Sequence, residues 1–141
     1  MGLSHWVESD GAADFRYDLQ KVLKTNDKKK LRNVIKKELK DGGNCYNTPG
    51  PINMALVMET EGVVFGMDGE ERDVTPIVSN ILIKKEFVIL IDKLKELIKE
   101  CCGDEWYDTP RRNGSSNAKW HRNNYKRLLK VVEKRLETLH S

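Results

Sequence analysis

Three stretches of the chain carry residue types at spacings that can do chemistry. Asp10, Asp14 and Asp18 recur at every fourth residue, with Glu8 just before them and His5 close by. On a helix they share one face, where like charges repel by roughly 0.2–0.5 kcal/mol per pair. Something must compensate. A hard divalent cation would do so, with His5 as a further ligand or proton carrier, and that arrangement would make a metal-dependent hydrolase of Asp10, Asp14 and His5. Arg16, Lys21 or a basic helix packed alongside would serve equally well, leaving the stripe a solvated face.

The second stretch is Asn44-Cys45-Tyr46-Asn47-Thr48-Pro49-Gly50-Pro51-Ile52-Asn53, a polar loop stiffened by Pro49 and Pro51 that leads into an expected helix start. Free backbone N–H groups at such a start form an anion site, and Tyr46, Asn47 and Asn53 can read an amide or base edge. Trp6 lies in a segment too short for its own helix, so burying its ring requires a surface distant in sequence. The 44–53 loop is the best polar candidate. The expectation is one ligand site built from His5, Trp6, Asp10, Asp14, Tyr46, Asn47 and Asn53, taking a protein partner or a small anionic, nucleotide-like ligand. The competing reading makes the loop punctuation between helices.

The third stretch runs from Arg111 to Arg127 and interleaves Arg111, Arg112, Lys119, Arg122 and Lys126 with Trp120, His121 and Tyr125. Basic side chains neutralise phosphates and aromatic faces stack bases, so single-stranded nucleic acid is a second candidate partner. Tyr125 falls on an apolar stripe and reads as core, and no nucleic-acid-binding motif accompanies the charge. Cys45, Cys101, Cys102 and His121 are zinc-ligand types without the paired spacings of zinc folds. A Gly-rich phosphate loop, a Gly-x-Ser-x-Gly elbow and a His-Glu-x-x-His helix are all lacking. No catalytic residue, metal or cofactor is therefore assigned, and the expected function is binding without catalysis.

Composition sets the frame for these stretches. The 141 residues are 38% hydrophobic and 33% charged, with a mean hydropathy of −0.63. That excludes an integral membrane protein and a wholly disordered chain. The net charge of +3 is unevenly spread: residues 27–41 carry seven Lys/Arg against three acids, and residues 110–141 nine against two. The basic segments can bind a phosphate backbone or pack against the acidic remainder. The odd count of three cysteines, two of them adjacent, suits a reducing cytoplasm. The first residues lack the basic and apolar regions of a secretory signal, and Trp6 breaks the myristoylation pattern that Gly2 would begin. The most apolar window, 77–98, is interrupted by Lys84, Lys85, Glu86, Asp92 and Lys93, so no membrane span is expected.

Five segments have helical character. Residues 10–24 place Ala12, Phe15, Leu19, Val22 and Leu23 on one face, with Ser9 or Asp10 as cap. Residues 27–40 repeat the pattern with Leu31, Val34, Ile35 and Leu39, opened by Asp27 and stopped by Gly42-Gly43. A short helix follows Pro51 and ends before Gly62. The run from Val63 to Glu70, with its Asp68-Gly69 turn signal, allows one small β-hairpin near 63–74. Thr75-Pro76 reads as the start of a long helix to Cys102, and the Phe87–Ile91 run makes it the buried centre of the fold. After a loop at 103–115, residues 116–139 carry the clearest stripe: Tyr125, Leu128, Leu129, Val132, Leu136 and Leu139. The expected fold is an all-α, single-domain bundle of about five helices spanning residues 1–141.

The opening His5-Trp6-Val7-Glu8-Ser9-Asp10-Gly11-Ala12-Ala13-Asp14, together with Tyr46-Asn47-Thr48-Pro49-Gly50-Pro51-Ile52-Asn53, resembles small phage and bacterial proteins of the domain-of-unknown-function type. Their N-terminus carries a Trp followed by a Ser/Asn-Asp-x-Ala-x-Asp pattern. The resemblance brings no activity. It implies a phage-type accessory protein in a host cytoplasm, of the kind that binds a host protein, nucleic acid or a signalling nucleotide.

Overall fold

Among the described residues, five helices and a two-stranded ribbon follow one another: α1 (Asp10–Leu23), α2 (Lys28–Lys40), α3 (Gly50–Glu59), β1 (Val64–Gly66), β2 (Arg72–Val74), α4 (Lys84–Glu100) and α5 (Pro110–His140). The computed structural model describes residues 10–42, 48–66, 72–100 and 110–140. The all-α architecture expected from the helical periodicity is the one observed, and the ribbon falls within 63–74. Among the described residues no helix is long and apolar enough to cross a membrane.

Local chemistry sets most of the boundaries. Ala12, Phe15 and Leu19 are buried along one face of α1. That helix closes where the Thr25 hydroxyl donates to the Val22 carbonyl at 2.7 Å. Asn26 then takes a left-handed φ of 57°, which Asn tolerates better than most residues. Asp27 caps α2 as its type and position predict, its carboxylate accepting from the Lys30 N–H at 3.1 Å. The ribbon pairs Val64 with Val74, Phe65 with Asp73 and Gly66 with Arg72 in antiparallel register. Gln20 on α1 holds it by donating from its amide to the Val74 carbonyl.

The centre of the fold is α3. Every residue from Gly50 to Met58 is buried, and no charge interrupts that run before Glu59. A helix that is apolar on all sides must lie inside. All four other helices pack on it. This corrects the expectation that the 75–102 segment is central. In that segment Phe87, Leu90 and Leu94 are fully buried while Val88 is 45% exposed, so the Phe87–Ile91 run is a one-sided stripe. The helix also begins at Lys84, well after Thr75-Pro76. The Thr75 N–H extends the ribbon by donating to the Val63 carbonyl at 3.0 Å. The helix start is set by Glu86, whose carboxylate accepts from the Ile83 N–H at 3.0 Å, the acidic half of a capping box. At the other end of the chain α5 begins at Pro110, six residues before the expected 116, with proline in the first helical position.

The outer helices form two pairs, α1 with α2 and α4 with α5, lying against α3. The junction of α2 with α3 is unusually close. The Gly50 N–H donates to the Asp41 carbonyl at 2.8 Å, and a β-carbon at Gly50 would lie 1.8 Å from the Glu38 carbonyl oxygen. Only glycine fits there. Helices α2 and α4, by contrast, do not pack closely on each other, and a seam runs between them.

Candidate functional site

The residues expected to form one ligand site divide into three groups. His5, Trp6, Tyr46 and Asn47 lie outside the described residues, as does the Asp10 side chain. Asp14 and Asp18 are exposed, and among the described residues no three His, Cys, Asp or Glu side chains cluster to hold a metal ion. Lys21 turns to the ring of Tyr17, 5.9 Å from its centroid, and Arg16 is buried.

Asn53 is buried and fully engaged. It accepts from the Thr48 hydroxyl at 2.6 Å and donates to Glu38 Oε2 at 3.1 Å and the Thr48 carbonyl at 3.4 Å. The first turn of α1 presses on this group, since a β-carbon at Gly11 would lie 2.8 Å from the Asn53 amide nitrogen. The start of α1 does therefore meet the end of the 44–53 stretch, as a packed structural junction. The anion site expected at this helix start is corrected on the same grounds. The Gly50 N–H is given to Asp41, Pro51 has none, and the Ile52 and Asn53 N–H groups are given to the Pro49 carbonyl at 3.0 and 3.2 Å. No early donor of α3 is left for a ligand.

Glu38 at this junction has an unusual carboxyl. It is raised from 4.5 to about 7, chiefly by burial, with the Asn53 hydrogen bond pulling against the rise, the Asp41 and Asp18 charges adding to it and Lys37 opposing them. Glu59, on the opposite end of α3, is also raised by burial and lowered by the nearby Arg127.

The basic stretch of α5 divides as well. The side chains of Arg111, Arg112 and Lys119 lie outside the described residues, and Lys126 is exposed. The described arginines turn inward. Arg122 donates from Nε to the Ile98 carbonyl at 3.4 Å, Arg127 meets Glu59 at 3.4 Å, and Arg135 meets Glu61 at 3.6 Å. Arg135 also reaches the Met58 carbonyl at 3.3 Å. Glu61 in turn accepts from the Ser79 N–H and, at 2.5 Å, from the Ser79 hydroxyl. Arg127 and Arg135 thus fasten α5 to the C-terminal end of α3 and the residues just after it.

The seam between α2 and α4 holds what the sequence did not signal. A groove of about 540 Å³ lies there, lined by Lys36, Leu39 and Lys40 from α2 and by Ile83, Lys85, Glu86, Ile89 and Lys93 at and along α4. A second hollow of about 260 Å³ shares Leu39, Lys40 and Lys93 with it and continues past Asp41, Pro51, Glu96 and Leu97. Glu86 does not compete for the lysines, because Arg32 pairs with it and also donates to the Ile81 carbonyl at 2.6 Å. Ile83 is 53% exposed at the groove edge. Lys36, Lys40 and Lys85 are exposed and Lys93 is half-buried. Among the described residues none of the four makes an ion pair. The arrangement can attract negative charge at its rim while offering aliphatic surface within.

Comparison with known proteins finds no matching family, no similar curated protein and no similar solved structure.

Proposed function

We propose that this chain is a binding protein without catalysis, which holds an anionic and partly apolar partner in the α2–α4 groove. The observation that carries the reading is the groove lining: four lysines that make no ion pair among the described residues, around Leu39, Ile83 and Ile89. Apolar surface left open and rimmed by polar groups of one sign marks an interaction site. The reading accords with what the resemblance of residues 5–14 and 46–53 implies, an accessory protein that acts by occupying its partner.

Anilinonaphthalene sulfonate, an anionic aromatic dye that brightens on apolar surfaces, tests the site directly. The folded protein at neutral pH should bind it saturably, and Lys40→Glu with Lys93→Glu, or Ile89→Glu, should reduce binding about tenfold. Dye binding that is absent, or indifferent to these changes in a folded protein, removes the groove from consideration.

A further inference from the structure

We infer that the occupant of the groove is an acidic amphipathic helix of a partner protein, an inference that rests on the binding role proposed above. The walls are two helices lying on a third, the setting in which another helix packs ridges into grooves. The two hollows run as one seam along α4 from Lys85 to Leu97, about 18 Å at roughly 1.5 Å per residue, or a little over three turns. Its apolar residues, Ile83, Ile89 and Leu97 from the α4 side and Leu39 and Pro51 opposite, follow the length of the seam instead of gathering at one end.

The charge is distributed in the same way. Lys36 and Lys40 stand one turn apart on one wall, and Lys85 and Lys93 stand about two turns apart on the other. A nucleotide concentrates its charge in one phosphate group and its apolar surface in one ring, and is held by stacking aromatics, a fork-shaped guanidinium or free helix-start donors. Among the described residues the lining has no aromatic side chain and no arginine, and the α3 start at its end has given away its N–H groups. Lysine is a compact point charge on a flexible stem, suited to carboxylates spaced along a helix. Beyond Lys93 the sign changes, with Asp41 and Glu96 lining the far hollow. A partner helix with glutamates over its first turns and one lysine near its end matches the seam in both sequence and register, and such matching selects against the wrong partner.

The test uses the full chain and a fluorescein-labelled peptide of about 14 residues, with leucines at i, i+3 and i+7, glutamates beside them and a single lysine near the end. Three comparison probes share the assay: the same composition with dispersed leucines, a version with the charge signs exchanged, and ATP. The patterned peptide should bind with anisotropy that saturates, weaken with salt, and lose about tenfold in affinity on Lys40→Glu with Lys93→Glu. Ile89→Glu is a second route to the same loss should the lysine pair prove silent through rearrangement, and Glu96→Lys should weaken binding of this peptide while leaving dye binding intact. The dispersed and sign-exchanged peptides should not bind.

Equal binding of the patterned and dispersed peptides overturns the inference, as does patterned binding unaffected by all the groove variants. ATP binding that the lysine changes abolish, without peptide binding, would replace the helix by a nucleotide while leaving the groove as the site. Sedimentation showing concentration-dependent self-association that the same changes abolish would make a second copy the occupant and equally overturn the inference. Retained dye binding with no peptide binding sinks the helix alone, whereas loss of both sinks the binding role itself.

Discussion

Two regions of this protein are rich in positive charge, and they use it in opposite ways. On α5 the described arginines turn toward the body of the fold: Arg127 to Glu59, Arg135 to Glu61 and Arg122 to a carbonyl at the end of α4. Around the α2–α4 seam, Lys36, Lys40, Lys85 and Lys93 border a groove and pair with no described carboxylate. The difference lies less in charge density than in what the neighbouring helix offers. The C-terminal end of α3 and the residues after it present carboxylates and a carbonyl within reach of the arginines, while the larger groove of the seam presents aliphatic side chains and a glutamate already held by Arg32. A run of basic residues is therefore no indication of a binding surface until its partners are known.

The comparison can be broken or sharpened by substitution. The largest effect belongs to neither set of cations but to the junction on which one wall of the groove rests. Gly50→Ala forces a β-carbon into the Glu38 carbonyl and should cost about 3 kcal/mol or more, visible as a lowered denaturant midpoint together with loss of dye binding. Next, Glu61→Ala removes the anchor of Ser79 and the ion pair of Arg135, leaving the Ser79 N–H and hydroxyl without their acceptor. A loss of about 2–3 kcal/mol is expected from chemical denaturation. Arg127→Ala should cost about 1 kcal/mol, since the arginine is 38% exposed and solvent screens the pair.

A smaller effect, with a definite sign, comes from Glu38. Its folded-state carboxyl lies at about 7 against an ordinary 4.5, so the folded state binds a proton that the unfolded state releases earlier. The contribution is fully present below the ordinary value and lost as pH rises through about 7. Stability should thus fall across this window, and Glu38→Gln should flatten the fall and leave the variant more stable than the parent at pH about 8. A parent profile that rises over the same window would mean Glu38 is charged in the fold. Smallest of all, Lys36→Ala, Lys40→Ala or Lys85→Ala should change stability by no more than about 0.5 kcal/mol in thermal or chemical denaturation.

Much of the helical framework was legible because its signals are local. Asp27 announces α2, the Ala12, Phe15 and Leu19 stripe announces α1, and Tyr125, Leu128 and Val132 form the buried face of α5 as their spacing indicates. The start of α4 was misread because Thr75-Pro76 has the residue types of a helix cap, yet Thr75 is drawn into the ribbon by Val63. The real signal was Glu86, which caps without the usual Ser or Thr partner. The central place of α3 was hidden by its shortness and by Asn53, a polar residue whose burial depends on Glu38 and Thr48. The groove had no signal in sequence, since its lysines come from positions about fifty residues apart and only the gap between helix pairs makes them neighbours.

The central claim, that one basic region holds the fold together while the other is free for a partner, is tested most directly by measuring stability and dye binding on the same two variants. Lys40→Glu with Lys93→Glu should lose about tenfold in affinity for the dye with stability changed by no more than about 1 kcal/mol. Arg127→Ala with Arg135→Ala should lose about 2 kcal/mol of stability and bind the dye as the parent does. The opposite pattern, with the lysine pair unfolding the protein and the arginine pair abolishing binding, would contradict the account.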